Sequence, residues 1–134
     1  MLKNMTLGTS VKSIATQAFD GCSRLRSVTF PEGLDSIGNF AFRGCAAMTS
    51  VTLPDSLAEI GYGAFNGCTA MTDLKTGNGL TLLKGHLTGV SSTGGFYVGT
   101  SGCGLFSGCT SLKNVTIGTN VQTIGYGCFY GCST

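Results

Sequence analysis

Cysteine and histidine carry most of the reactive chemistry that this sequence offers. The chain of 134 residues contains seven cysteines and one histidine, His86. A cysteine thiolate can act as a nucleophile or a metal ligand, and two thiols can form a disulfide. All seven cysteines follow a glycine, and five of these Gly-Cys pairs recur at a regular spacing: Gly21-Cys22, Gly44-Cys45, Gly67-Cys68, Gly108-Cys109 and Gly131-Cys132. Their chemistry therefore has to be judged together with their spacing.

These five Gly-Cys pairs mark an internal repeat. The first three pairs are 23 residues apart, as are the last two, and the remaining gap of 41 exceeds that period by 18. A phenylalanine stands three residues before each of these cysteines, at Phe19, Phe42, Phe65, Phe106 and Phe129. Each repeat reads L-x-x-V-x-L-x-x-x-V-x-x-I-x-x-x-A-F-x-x-C-x-x, so eight apolar columns recur in register. One coil cannot bury its apolar edge alone, and stacking coils turns each column into a buried ladder.

The repeat predicts one solenoid domain over residues 1–134. The V-x-L segment alternates as a short parallel strand should, and the Pro or Gly after it ends the strand. A second short extended piece is expected over V-x-x-I. The A-F-x-x-C arc is expected to be an irregular or short helical turn, because it is too short for a stable helix. The predicted coils are residues 2–24, 25–47, 48–70, 71–111 and 112–134, with an insertion at about 84–101.

The repeat resembles the BspA-type leucine-rich repeats, a family whose unit has the same length and the form L-x-x-V-x-I-P-x-x-V-x-x-I-G-x-x-A-F-x-x-C. The motif stands here as LRSVTFPEGLDSIGNFAFRGCAA and MTSVTLPDSLAEIGYGAFNGCTA. The resemblance covers almost the whole chain apart from the insertion. It implies a curved, right-handed β-solenoid-like coil with a parallel sheet on one face and irregular or short helical turns opposite. It also implies a place in cell-surface or secreted proteins of host-associated bacteria and some protists, and adhesion to host or matrix proteins.

The register of the repeat indicates core packing for most of the cysteines. The five cysteines of the repeat have parallel Cβ vectors about 4.8 Å apart, whereas a disulfide needs convergent Cβ atoms about 3.8 Å apart. We expect these five to be buried free thiols that act as small apolar side chains. Cys128 stands in the Ala column and is also expected in the core, whereas Cys103 lies outside every column. A contact between Cys103 and Cys128 across adjacent coils stays open.

The sequence offers little for catalysis or for a bound cofactor. Cys103 and His86 can be written as a nucleophile and its base, but nothing in the sequence orients them. The simpler interpretation of His86 is a solvated loop residue. No carboxylate pair recurs at one position, no phosphate loop is present, and a metal site lacks further histidines. We therefore predict no enzymatic activity, no metal and no cofactor.

Charge and hydropathy exclude two further classes of function. Eight basic and six acidic residues give a net charge of +2 and are spread along the chain. That distribution predicts neither nucleic-acid binding nor a polybasic membrane anchor. No run of 18 apolar residues is present, so we predict no membrane insertion. Residues 1–11 also lack the apolar segment of a secretory signal, and a cell-surface or secreted location follows from the family resemblance alone.

The residues that flank the V column should point outward from the concave side of the sheet. They are the pairs Asn4/Thr6, Ser27/Thr29, Ser50/Thr52, Asp73/Lys75 and Asn114/Thr116. Threonine fills the second position in four of the five coils, which its preference for half-exposed strands can explain. Alternatively, the row is a flat hydroxyl face for a protein or a glycan. A third interpretation is ice binding, against which the Asp73/Lys75 break and the expected curvature both count.

The insertion from Lys84 to Ser101 offers a second candidate surface. Phe96 and Tyr97 stand there among glycines and serines, and aromatic side chains of this kind anchor interfaces. We hypothesise that both contact a partner or a neighbouring subunit. The alternative is a small β-hairpin that folds back over the edge of the solenoid.

The first and last repeats look like interior ones, because Phe19 and Phe129 are both in place. Solenoids normally carry polar caps, and uncapped coils expose strand edges and apolar surface. A segment of a longer array, a head-to-tail homo-oligomer and capping by another partner all fit this pattern. Two functions therefore compete at this point: a protein-interaction or adhesion module, and a structural protein that assembles end to end into filaments or layers.

Overall fold

The structure, a computed structural model, describes residues 2–85 and 104–133, together with the backbone of residues 88–90 and 96–98. Short strands joined by turns make up this part of the chain, and it contains no helix, hence none that could span a membrane. In chain order the strands are β1 Asn4–Thr6, β2 Ser13–Ile14, β3 Ser27–Thr29, β4 Ser36–Ile37, β5 Ser50–Thr52, β6 Glu59–Ile60, β7 Asp73–Lys75, β8 Leu82–Leu83, β9 Thr88–Val90, β10 Phe96–Val98, β11 Asn114–Thr116 and β12 Thr123–Ile124.

Two rows of parallel strands run along the solenoid. The first row contains the V-x-L strands, which pair as β1–β3 and as β5–β7–β11. The second row pairs as β2–β4–β6 and as β8–β12. Each second-row strand covers only the last two residues of the V-x-x-I segment, so the predicted second extended piece is shorter than expected. The parallel pairing confirms the predicted repeat solenoid.

The insertion does not disturb the register of the coils on either side of it. Val115 pairs with Leu74 in the first row, and Ile124 pairs with Leu83 in the second. These partners are 41 residues apart, whereas the pair Met5 and Val28 is separated by the normal period. The extra residues therefore leave and rejoin the solenoid between β8 and the turn that begins near residue 104.

The phenylalanine column forms a continuous stack through the core. Neighbouring ring centroids lie 5.2, 5.2, 5.7 and 5.4 Å apart and the ring planes are within 13° of parallel. Phe42, Phe65 and Phe106 are fully buried, whereas Phe19 and Phe129 in the outer coils are half-buried. Stacked aromatic rings add to the stabilisation that comes from burying their surface. The column is thus the largest aromatic component of the core.

The A-F-x-x-C arcs are irregular turns that bond to each other from coil to coil. The amide of Phe19 donates to the carbonyl of Ala41 at 2.8 Å, and the amide of Phe42 donates to the carbonyl of Ala64 at 2.8 Å. The glycine before each repeat cysteine has a left-handed backbone, with φ between 69° and 74°. Glycine adopts this conformation without steric cost, which explains the Gly-Cys pairing in the sequence.

A second glycine column sets how closely the coils approach. A Cβ atom at Gly61 would lie 2.3 Å from the backbone nitrogen of Asn39, and one at Gly38 would lie 2.4 Å from that of Thr16. No real Cβ atom comes so near to backbone. The glycine that follows the isoleucine of the motif therefore permits direct contact between the backbones of adjacent coils.

Burial falls sharply in the last coil. Val51 and Ile60 in the middle of the solenoid are 2% and 1% exposed, whereas their equivalents Val115 and Ile124 are 42% and 52% exposed. Apolar side chains of this size are normally covered in a folded protein. The side of the solenoid next to β11 and β12 thus exposes part of the apolar columns.

Candidate interaction surface

Ten polar side chains form one exposed surface along the first row of strands. Alternation along each strand sends the middle residue inward and its two neighbours outward, and Val51 and Leu74 are accordingly buried. We call the outward set the polar face. Its members are Asn4, Thr6, Ser27, Thr29, Ser50, Thr52, Asp73, Lys75, Asn114 and Thr116, and each of them is exposed.

Pairing of the strands aligns the polar face in register. Asn4 lies opposite Ser27 and Thr6 lies opposite Thr29. Asp73 and Lys75 lie between the strands that carry Ser50/Thr52 and Asn114/Thr116. Because parallel strands are about 4.8 Å apart, the face is a regular array of small hydroxyl and amide groups, interrupted by one acid and one base.

Hydrogen bonds fix several of these side chains. The Ser27 hydroxyl donates to Oδ1 of Asn4 at 3.0 Å, and Nδ2 of Asn114 donates to Oδ1 of Asp73 at 2.7 Å. The Thr72 hydroxyl donates to the other Asp73 oxygen at 2.6 Å. The hydrogen bonds from Thr72 and Asn114, with the nearby charge of Lys113, lower the pKa of Asp73. The carboxylate therefore stays ionised into mildly acidic solution.

A cleft interrupts the polar face between β3 and β5. The backbone bonds of the two strands belong to separate sheets, although the amide of Thr49 still donates to the carbonyl of Arg26 just before them, at 3.2 Å. The cleft is lined by Ser27, Val28, Thr29, Phe30, Ser50 and Thr52. It therefore combines four hydroxyl groups with two half-buried apolar side chains.

Phe30 is the residue that distinguishes this cleft from the rest of the first row. The same column holds Leu7, Leu53, Thr76 and Ile117 in the other coils. The Phe30 ring packs edge-on against the rings of Phe42 at 5.7 Å and Phe65 at 6.4 Å. Sequence reasoning missed the cleft, and the only signal for it was an aromatic residue in an aliphatic column.

The second candidate surface is only partly described. The backbone of β10 pairs antiparallel with β9, with Phe96 opposite Val90 and Tyr97 opposite Gly89, as a hairpin requires. That the hairpin folds back over the edge of the solenoid stays a prediction. The side chains of Phe96 and Tyr97 lie outside the described residues, and so do His86 and Cys103. Contact of the two aromatic residues with a partner stays a prediction, as do the Cys103–Cys128 contact and the position of His86.

The cysteine column is part of the core, as predicted. Cys45, Cys68 and Cys109 are buried free thiols, and Cys128 is buried in the Ala column. Cys22 and Cys132 are free but only half-buried, so full burial was the wrong expectation for these two. The reason is that both lie in the outer coils, where a stacked coil covers them on one side only.

Burial lowers the reactivity of these thiols. Loss of solvent around the sulfur raises the pKa of Cys45, Cys109 and Cys128 to about 12 each and that of Cys68 further still. The Cys45 thiol also donates to the carbonyl of Phe19 in the preceding coil at 3.4 Å, and Cys68 bonds to Phe42 in the same way. Because the thiolate is the reactive form, these residues are suited to packing rather than to nucleophilic chemistry.

No group of three metal-ligating side chains occurs within the part of the chain that the structure describes. The polar groups that are buried there have structural partners instead. Thr76, for example, replaces an aliphatic residue in its column, and its hydroxyl accepts a hydrogen bond from the amide of Gly118 at 2.8 Å.

Comparison with known families finds the same repeat. The sequence model of the BspA type leucine rich repeat region matches residues 1–88 and 98–134, in six copies. Among proteins with curated functions, nothing matches the chain significantly.

Solved structures with a similar fold come from three bacteria. A leucine-rich cell surface protein from Faecalibacterium prausnitzii is 22% identical with a TM-score of 0.58, over 96% of this chain and 38% of that one. A leucine-rich repeat protein from Bacteroides ovatus is 25% identical with a TM-score of 0.62, over 98% and 35%. A leucine-rich repeat protein from T. pallidum is 22% identical with a TM-score of 0.56, over 98% and 77%. This chain thus spans little more than a third of the length of the first two.

Proposed function

Because this chain belongs to the BspA-type leucine-rich repeat family, we propose that it is a non-enzymatic protein-interaction module that serves adhesion in a cell-surface or secreted protein. Repeats of this family supply interaction surfaces, and the F. prausnitzii protein with the same fold is described as a cell surface protein. The observation that carries the proposal is the polar face, in which ten exposed side chains lie in register within two groups of paired strands, β1–β3 and β5–β7–β11. We place the partner, a host or matrix protein, against this face.

The centre of the proposed contact is the cleft between β3 and β5. Interfaces obtain most of their affinity from a few well-enclosed positions surrounded by weaker polar contacts. The cleft is the one described interruption of the polar face that exposes part of an aromatic side chain, Phe30, between rows of hydroxyl groups. A partner side chain seated there would contact Phe30 and Val28 and would hydrogen-bond to the rim.

The test is binding to immobilised fibronectin, laminin and collagen, measured by surface plasmon resonance. Thr29→Arg with Thr52→Arg fills both rims of the cleft with bulky charge and should weaken the strongest of these interactions at least about tenfold, or 1.4 kcal/mol. The matched control is Thr9→Arg with Thr81→Arg, which makes the same change at two exposed threonines outside the polar face. Equal loss in the two variants, or no binding to any of the proteins, would contradict the proposal.

End-to-end assembly is the second candidate, and the exposure of Val115 and Ile124 favours it. A second copy stacked on this side would bury both residues as the equivalent ones are buried inside the solenoid. Such a contact joins two different surfaces and repeats without closing. The expected result is a molar mass that rises with concentration in light scattering. Val115→Lys with Ile124→Lys should abolish that rise, whereas Leu82→Lys, a change at an exposed leucine of β8, should not. A concentration-independent monomer would exclude this function.

A further inference from the structure

Three basic side chains form a cluster beside the polar face, where the chain enters the first row of strands. Lys3, Arg24 and Arg26 are all exposed, and with Ala47 they line one shallow depression. We call these three residues the basic cluster. It lies in the first two coils, next to Asn4 and Ser27.

Backbone pairing holds the basic cluster together. Lys3 and Arg26 occupy equivalent positions of adjacent coils, and the amide of Arg26 donates to the carbonyl of Lys3 at 2.6 Å. Their backbones are therefore about 4.8 Å apart, the spacing of parallel strands. Arg24 precedes Arg26 by two residues. Three like charges at this spacing repel each other, so the arrangement favours an anion with more than one charged group.

Acidic side chains of this chain do not neutralise the cluster. Asp20 binds Arg43, and Glu59 binds Lys84 at 2.9 Å. Within the described residues neither Lys3, Arg24 nor Arg26 takes part in an ion pair. The remaining acids of the first three coils, Glu32, Asp35 and Asp55, all follow a first-row strand instead of preceding it. The strand-entry side of the first row is therefore positive in the first two coils, whereas these three acids follow the strands.

The surroundings of the cluster favour a strongly hydrated ligand. The exposed large apolar residues of the described chain are Leu2, Leu82, Val115, Ile124, Tyr126 and Tyr130. Only Leu2 among them is in the first three coils, where it lines a depression with Arg24. No aromatic residue of these coils belongs to this exposed set, and aromatic residues are the typical anchors of protein interfaces. Ala47, which is small and half-buried, completes the lining of the depression.

We propose that the basic cluster binds a sulfated polysaccharide. The guanidinium groups of Arg24 and Arg26 and the ammonium group of Lys3 contact sulfate oxygens, since planar guanidinium donates two parallel hydrogen bonds to such oxyanions. This site is separate from the cleft between β3 and β5, and it adds a second class of partner to the proposed protein-binding function.

The test is binding of the purified chain to heparin, with chemically desulfated heparin and poly-L-glutamate as comparison ligands. Isothermal titration calorimetry should show binding to heparin at least about tenfold tighter than to either of the others. Arg24→Ala with Arg26→Ala should weaken heparin binding at least about tenfold and lower the slope of log affinity against log salt by about 1–2. The change in slope reports lost ionic contacts, which a purely structural effect would not produce.

Two further variants make the outcome decisive. Lys12→Ala with Lys113→Ala produces the same net charge at two exposed lysines outside the cluster and the polar face and should change affinity less than about twofold. Arg24→Lys with Arg26→Lys retains both charges and should recover most of the binding. The proposal is overturned if poly-L-glutamate binds as well as heparin, if the Lys12/Lys113 variant loses as much as the arginine-to-alanine variant, or if heparin does not bind. None of these results depends on whether the polar face binds a protein.

Discussion

The burial of a side chain in this solenoid depends on the coil in which the residue lies. The same residue type is fully buried in the middle coils and half-exposed in the outer ones, as the phenylalanine and cysteine columns both show. The free energy that a residue contributes should therefore depend on the number of coils that cover it. The repeat makes this dependence measurable, because it supplies matched positions within one chain.

Phe65→Ala should lower the free energy of unfolding by about 3–5 kcal/mol. The ring is fully buried between Phe42 and Phe106, at centroid distances of 5.2 and 5.7 Å, so its removal leaves a cavity enclosed on both sides. Phe129→Ala in the last coil should cost about 1–2 kcal/mol, because the ring is half-buried and stacks on one side only. Urea unfolding followed by circular dichroism measures both. Equal losses would contradict the dependence on coil position.

The buried thiols predict loss of stability in alkali. Burial raises the pKa of Cys45, Cys109 and Cys128 from 9.0 to about 12. The folded state therefore keeps these protons when the unfolded state has begun to lose them. Their contribution is fully present below about pH 8.5 and is lost as the pH rises from about 9 towards 12.

Unfolding by urea under reducing conditions at pH 7 to 11 checks this dependence. Cys109→Ala should make the decline shallower by at most about 1.4 kcal/mol per pH unit, the value for one proton. A decline that is the same in the variant and the wild-type chain would contradict the assignment. Cys22→Ala is the matched control, because the same thiol in the first coil is half-buried.

At the scale of elements, the sequence allowed more of the strands to be predicted than of the contacts between them. The V-x-L strands were predictable because alternation and the following Pro or Gly repeat in each coil. The shorter second-row strands, the glycine contact at Gly61 and the cleft beside Phe30 were not, because each depends on how close two coils come. The residue types in a column indicate which side chains are buried. They do not indicate how far apart two adjacent coils lie.

Gly61→Ala should destabilise the solenoid by about 1–3 kcal/mol or more, although it adds only a methyl group. The added Cβ would lie 2.3 Å from the backbone nitrogen of Asn39, and the two coils would have to separate. Gly8→Ala is the matched control, since nothing lies within 4 Å of the Cβ that it would add. It should change stability by less than about 0.5 kcal/mol. Thermal and urea unfolding of the two variants would contradict this account if their losses were alike.

At the scale of the whole molecule, the repeat concentrates variation on surfaces and keeps the core constant. Every coil repeats the same inward columns, whereas the outward positions differ enough to build a cleft, a basic cluster and an Asp/Lys pair. The polar face was predictable residue by residue, because the period and the alternation together fix which side chains point outward. The basic cluster was missed because the sequence reasoning rested on net charge and its spread along the chain. The period by itself places Lys3 and Arg26 at equivalent positions of adjacent coils.

Division of the chain into five coils stays a prediction, as does the role of the insertion. The strands of the first row occupy five equivalent positions, and the family model matches in six copies over residues that include part of the insertion. Strands β9 and β10 belong to the fourth predicted coil, and Asp73 and Lys75 lie in the first-row strand of the same coil.

The central claim is that the polar face is the protein-binding surface, and a series of single substitutions along it is the most direct test. Each of Thr6, Thr29, Thr52 and Thr116 is changed to Arg in turn, and affinity for the best-bound matrix protein is measured by surface plasmon resonance. We predict a graded profile, with a loss of at least about tenfold at Thr29 and Thr52 beside the cleft and smaller losses at Thr6 and Thr116. Affinities for all four that equal the affinity of the Thr9→Arg control would contradict the claim.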